Sequence, residues 1–222
     1  ALLSGGYPVT GRMSLKQVDV DPFITAGLRL QGLTGHSSID GDVSLSGSLL
    51  DPDTLVWDVN LSRVSVSYAS VNLENSGPVR LQYRRNEVRV QPATLRGPET
   101  DLLISGSVHF NTDRALDLRL AGEVNLRLLS AFVPRLDAQG PARVDAAIAG
   151  TLASPRITGR VRLEDSSVRY GDFPAGLSNI TGDLIFDASR LVFDNLPAES
   201  GGGQLVVNGA LTYTNGPVRY DL

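Results

Sequence analysis

"GTLASPRITGRVRLEDSSVRY", residues 150–170, sets Ile157, Gly159, Val161 and Leu163 between charged or hydroxyl-bearing neighbours. A period of two puts one set of side chains on one face of a strand and the other set on the opposite face. "GSLLDPDTLVWDVNLSRVSVSY", residues 47–68, reads the same way: Leu55, Trp57, Val59 and Leu61 face away from Asp58, Asn60 and Ser62. Strands with one apolar and one wet face belong to antiparallel sheets, not to doubly buried parallel ones.

The alternation recurs at Leu102, Ile104, Gly106, Val108 and Phe110, and at Leu205, Val207, Gly209, Leu211 and Tyr213. Twenty-three glycines and 12 prolines, spread with Asn and Asp, punctuate these runs, which marks an all-β chain. Two segments break the period. "DPFITAGLRL" (21–30) has an N-cap Asp followed by Pro, and "NLRLLSAFVPRL" (125–136) spaces its apolar residues unevenly, so each predicts a short helix.

Both long stretches begin Gly-x-Leu-x-x-Pro, and subtraction extends the match. Gly150 and Gly47, Pro155 and Pro52, Leu184 and Leu81, Phe186 and Tyr83, Leu191 and Val88, Phe193 and Val90, and Tyr213 and Phe110 all differ by 103, while Tyr170 and Tyr68 differ by 102. A fixed period is the mark of a repeat architecture in which each unit extends its neighbour. The expectation is one continuous segment over 1–222, built from a first unit at 20–118 and a second at 119–222.

The totals narrow the function classes. At 222 residues the chain can bury a sizeable core in one or two domains. Its net charge is −4, and its basic residues are arginines apart from Lys16, scattered without a run, which leaves no basic stripe for nucleic acid. The absence of cysteine excludes disulfides and thiolate metal sites. No stretch reaches the ~18 apolar residues of a membrane-spanning helix. The start at Ala1 and the ending in mid-pattern at "GPVRYDL" give the expectation of a piece of a longer chain.

An apolar sheet face needs a cover, and two short helices cannot cover a dozen strands. Sandwiches and barrels fill their middle with aromatic bulk, whereas this chain has thirteen aromatics and an aliphatic face interrupted by Gly106, Gly159, Gly182 and Gly209. The expected fold is all-β: a strongly curved antiparallel sheet rolled into a taco-like hydrophobic groove, with one or two short helices. Such a lining suits a lipid tail, at ~0.8 kcal/mol per methylene removed from water. It equally suits a dry core, and periodicity alone does not separate the two.

The order Gly-x-Leu-x-x-Pro-x-[LI], alternating strand, "SSVRYGD", then "LSNITGDLIFDASRLVFDNLPAESGGGQLVVNGALTY" resembles the repeating unit of the AsmA-like family, in its TamB branch. The elements that carry the likeness are Ile-x-Gly-Asp-Leu, the pair Leu191 and Phe193, and the turn Gly201 to Gly203 feeding Leu-x-Val-x-Gly-x-Leu. "SGPVRLQYRRNEVRVQPATLRGPETDLLISGSVHF" repeats the order without the triple glycine. The resemblance implies a periplasmic protein anchored at the inner membrane, non-enzymatic and cofactor-free, that conducts phospholipid toward the outer membrane. It also implies adjacent repeats as neighbours and a TamA-like outer-membrane barrel as partner in assembling outer-membrane proteins.

On that reading the lining is the inward phase of every strand. It comprises Leu55, Trp57, Val59, Leu61, Val66, Tyr68, Leu81, Tyr83, Val88, Val90, Leu102, Ile104, Val108 and Phe110 in the first unit. In the second it comprises Ile157, Val161, Leu163, Val168, Tyr170, Leu184, Phe186, Leu191, Phe193, Leu205, Val207, Leu211 and Tyr213. An alternative from another class is a chaperone-like scaffold that captures unfolded barrel strands at its sheet edge. A third is an adhesin-like repeat with a dry core.

No catalytic constellation is legible. His36 reads as part of a Gly/Ser loop and His109 as an outward strand residue, without the orienter and partner a catalytic imidazole needs. Glu164 and Asp165 are adjacent, so on a strand their side chains point to opposite faces, the wrong arrangement for a carboxylate pair. Asp51 and Asp53 flank Pro52 in what reads as a turn, lacking the rest of a calcium loop. Gly201 to Gly203 precedes a strand and is no phosphate cradle. Asn60-Leu61-Ser62 and Asn179-Ile180-Thr181 match a common glycosylation pattern, and Arg84 and Arg85 read as an ordinary wet strand face.

Overall fold

The computed structural model describes residues 7–22, 35–48, 50–68, 71–110, 115–133, 135–151, 154–171, 175–212 and 219–221. Among these, fifteen strands form one sheet in which every ladder is antiparallel. It opens with β1 (Pro8–Asp19), β2 (Gly35–Ser48) and β3 (Asp51–Tyr68). β4 (Val71–Asn75) and β5 (Val79–Arg84) are two lengths of one interrupted strand, since both pair with β3 and with β6 (Glu87–Gly97). β7 (Thr100–His109) and β8 (Leu116–Asn125) follow. β9 (Leu136–Gln139) and β10 (Pro141–Gly150) again share a partner, β11 (Pro155–Tyr170). The run ends with β12 (Leu177–Ala188), β13 (Arg190–Ser200), β14 (Gly203–Thr212) and β15 (Arg219–Asp221). Spatial order follows chain order throughout, so the sheet is a meander with β1 and β15 at its edges.

Local sequence explains the corners. Arg85 and Asn86 take φ of 49° and 63°, and Gly201 and Gly202 take 58° and 83°, the left-handed pair that a tight hairpin requires. The two Gly-x-Leu-x-x-Pro stretches are also strand connections. Gly150 ends β10 and Pro155 begins β11, with Thr151 and Ser154 exchanging backbone hydrogen bonds at 3.3 and 3.2 Å. In the first copy, Asp51 to Asp53 are the opening residues of β3 and not the expected turn. Proline is tolerated where a strand begins, and Thr54 Oγ1 donates to the Asp51 carbonyl at 2.7 Å.

Within 125–136 the helix expected from the uneven spacing is short. A 3-10 turn at Leu126–Leu128, capped by the Asn125 side chain, which accepts from Arg127 N–H at 2.9 Å, runs into α1 (Leu129–Phe132). Val133 is already extended, as expected of a residue followed by proline. Of the other expected helix, 21–30, only Asp21 and Pro22 belong to the described residues.

The sheet is strongly curved, and β-bulges supply the bends. Register shifts fall between Leu15 and Val18, Leu61 and Arg63, Val90 and Ala93, Leu163 and Ser166, and Phe193 and Leu196. The shifts at Val90/Ala93 and Phe193/Leu196 lie 103 residues apart, as do both ends of β6 and β13 and both ends of β7 and β14. Gly106, at φ 130°, marks a close approach: a Cβ there would run into the Asp117 carbonyl oxygen of β8.

The accessible surface is 14228 Å² for 23.6 kDa. A compact globule of that mass exposes about 9,800 Å². Among the described residues most of the apolar phase is only half-buried, as expected of a single sheet layer. Burial concentrates in two places: Leu61, Val79 and Ala93 form one cluster, and Leu126, Ala138, Ala142, Leu163, Ile180 and Ala198 form a larger one beside the helical turn.

Candidate functional site: an aliphatic sheet face

Residues directly opposed across an antiparallel ladder share a face, so register traces the apolar surface from strand to strand. One row passes through Met13, Val43, Val59, Leu81, Val90, Gly106, Leu118, Ile148, Ile157 and Ala188 without a polar residue. A neighbouring row links Ile104, Leu120, Ala146, Gly159, Phe186, Leu191 and Leu211. The lining residues expected from the alternation, where their side chains are described, all fall on this face. Leu61, Leu163 and Phe193 are buried, Trp57, Phe110 and Tyr170 are exposed, and the others lie between. Tyr213 and the side chain of Tyr68 lie outside the described residues.

Sequence reasoning misses much of the same surface. Met13 and Leu15 on β1, Val43 and Leu45 on β2, Leu116, Leu118 and Leu120 on β8, and Val144 and Ile148 on β10 all belong to it. "LDLRLAG" carries the same alternation as the other strands, so the signal is present there. Ser37 and Ser166 also lie on this face and are fully buried. Ser166 Oγ donates to the Pro141 carbonyl at 3.2 Å, which satisfies the hydroxyl without water.

The opposite face is wet and charge-balanced. Arg143 Nη2 donates to Glu123 Oε1 at 2.8 Å, Arg96 pairs with Asp101 at 3.0 Å, and Arg160 meets Asp183 at 3.6 Å. The Glu123 carboxylate raises the Arg143 guanidinium above its ordinary pKa through that hydrogen bond. Solvent screens such exposed pairs, so they add little to stability. A depression of about 1050 Å³ on this side is lined by Leu103, Arg119, Ala121, Asp145, Arg160 and Ile185 among others. Of its cations, Arg143 stands beside Glu123 and Arg160 beside Asp183.

Besides Asp51 to Asp53, two placements differ from those the sequence predicts. His36 belongs to β2, opposite Ser67, and not to a loop. Its Nδ1 lies 3.4 Å from Asp21 Oδ2, and single ligand atoms of Asp19, Asp21 and His36 fall within 4.8 Å of one another at the sheet's edge. Glu164 and Asp165 do not straddle the sheet: Asp165, at φ 48°, is the extra residue of a bulge, and both side chains are exposed. His109 is outward as expected, with Nε2 3.9 Å from Glu87 Oε1.

No helix among the described residues is long and apolar enough to cross a membrane. No family model, no curated protein and no solved structure matches the chain.

Proposed function

We propose that the protein is a non-enzymatic surface for phospholipid acyl chains, shielding them in transit through the periplasm between inner and outer membranes. The observation that carries this reading is the register-continuous aliphatic row from Met13 on β1 to Ala188 on β12, most of it only half-buried. Contiguous apolar surface of that extent is rare on a soluble monomer unless something covers it. An acyl chain needs no polar contact: ten methylenes removed from water contribute on the order of 8 kcal/mol before the cost of ordering the chain.

On this reading the curved sheet closes around the chain as a groove, and the units at 20–118 and 119–222 are successive lengths of it. Repetition lengthens the conduit. The resemblance to the AsmA-like family adds an inner-membrane anchor on the parent chain and a TamA-like barrel as partner. A second reading, capture of unfolded outer-membrane strands, draws on the open meander, whose edge strand β1 pairs only with β2 among the described residues.

Organic extraction after detergent-free washing, followed by mass spectrometry, tests the first reading. Stoichiometric phospholipid is expected, and a lipid-free, cooperatively folded monomer would overturn it. Ile104→Asp and Val207→Asp are expected to lose bound lipid while circular dichroism stays native. Both positions are half-buried and tolerate a charge better than a closed core would. A folded variant that keeps its lipid counts against the groove.

A further inference from the structure

The aliphatic face is sealed at one end of its strands and open at the other. Toward the sealed end, register runs from Ser37 through Val66 to Leu73, and from Ala142 through Leu163 to Gly182. None of Ser37, Leu73, Ala142 and Leu163 is more than 4% exposed, and Leu126 of the helical turn packs in one cluster with the last two. Nine residues back along β3 from Val66, roughly 30 Å of strand, the row Leu45, Trp57, Tyr83, Val88 and Val108 has no buried member. Trp57 is 37% exposed there, and Phe110, two residues past Val108, is 56% exposed.

The open end also carries groups suited to the headgroup level of a lipid layer, where Trp and Tyr settle because each joins an apolar ring to a polar tip. Tyr83 stands opposite Trp57, and its hydroxyl donates to Asn86 Oδ1 at 3.1 Å. Phe110 N–H donates to the Asn86 carbonyl at 2.9 Å, which holds Phe110 at the same hairpin corner. Arg84 and Arg85 are exposed at that corner and form no ion pair among the described residues. Glu87 lies opposite Arg84, but Arg89 already holds its carboxylate at 3.1 Å. A guanidinium without a carboxylate is a ready partner for phosphate oxygens. The sealed end differs. Tyr170 is exposed there, yet the buried Ser166 and Leu163 lie between it and the open rows along β11, and Arg127 and Arg169 donate to Gln139 and Asp137. Building on the phospholipid reading proposed above, we infer that the lipid lies along the strands with its phosphate at the Arg84–Arg85 corner and its chain ends pointing toward Val66, Leu73 and Thr100. The reverse orientation would bring the phosphate to a buried end with no free cation, which is costly.

Trp57 is the only tryptophan of the chain, so the native protein reports its own lipid orientation. It is loaded from vesicles of phosphatidylglycerol bearing a doxyl group at carbon 5 or at carbon 16 of one acyl chain, then freed of vesicles by gel filtration. Doxyl quenches tryptophan at close range, so the carbon-5 label is expected to quench Trp57 more strongly than the carbon-16 label. Equal or reversed quenching overturns the orientation while leaving lipid binding in place. Protein that elutes without lipid overturns the phospholipid reading itself, and the orientation with it. The double variant Arg84→Gln, Arg85→Gln changes two exposed side chains, and circular dichroism checks that it stays folded. It is expected to bind phosphatidylglycerol about tenfold more weakly and to bind diacylglycerol, which has no phosphate, as the native chain does. Unchanged phosphatidylglycerol binding, or an equal loss for both lipids, overturns the placing of the phosphate at this corner.

Discussion

Two places in the sheet solve one packing problem with opposite residues. In the first copy Val79 on β5 and Ala93 on β6 are buried together with Leu61. The positions 103 residues on are Gly182 on β12 and Leu196 on β13. There Leu196 is 4% exposed, and its Cδ2 would lie 2.5 Å from a Cβ added at Gly182. Val with Ala and Gly with Leu carry the same number of side-chain carbons, exchanged between neighbouring strands. What is preserved between the copies is the volume of this layer, not the identity of either residue, as expected of close packing. The two sites differ in backbone: Gly182 sits at φ 142°, where a side chain is strained, and Val79 does not.

The largest effect expected from breaking this comparison is that of Gly182→Val. It combines overpacking against Leu196 with backbone strain, on the order of 4 kcal/mol in total. Urea denaturation reads it, and a loss below about 1 kcal/mol would mean that Leu196 is not seated over the glycine. Leu196→Ala follows, at about 3 kcal/mol for an aliphatic side chain deleted from a buried site. Combining the two recreates the first copy's pair in the second. The clash then disappears while the φ strain stays, so the double variant is expected to lose less than the two singles added together, by more than about 1 kcal/mol. Strict additivity would show that the two residues do not share a space.

That exchange also shows what the sequence displays and what it hides. Alternation such as Trp57, Val59 and Leu61 determines strand type and face, because side chains in an extended chain must alternate. The 103-residue spacing is legible because identity survives at turns and large apolar positions such as Gly150, Pro155 and Leu184. Bulges are not legible. The face jumps from Leu61 to Val64 and from Leu163 to Ser166, and the residue that absorbs the second jump, Asp165 at φ 48°, looks like any exposed acid. Ser37 and Ser166 escape sequence reasoning because their burial depends on curvature and on the carbonyls around them, which no local pattern encodes. β10 escapes it because in "ARVDAAIAG" the wet-face positions Ala147 and Ala149 are as apolar as Ala146 and Ile148 on the other face, which blurs the alternation.

The smallest predicted effect separates the copies by acid. Arg169 on β11 donates to Asp137 Oδ2 at 2.8 Å, tying β11 to β9, and Gln139 donates to Oδ1 at 3.2 Å. The position 102 residues earlier is Ser67, whose hydroxyl donates to Asn72 Oδ1 at 2.6 Å, a neutral contact. The Gln139 hydrogen bond first, and then Arg169, hold the Asp137 carboxyl below its ordinary 3.8 against the opposing pull of partial burial. A depressed carboxyl stabilises the fold above its unfolded pKa and loses that contribution as pH falls through the lower folded value. Asp137 is 44% exposed, so solvent screening keeps the contribution to about 0.5 kcal/mol or less. The stability difference between the native chain and Asp137→Asn is therefore expected to be constant from neutral pH down to about 5 and to shrink below 4. Ser67→Ala should give a difference that does not change with pH. A gap for Asp137→Asn that stays constant to pH 2 would mean that the carboxylate is not what ties β9 to the sheet.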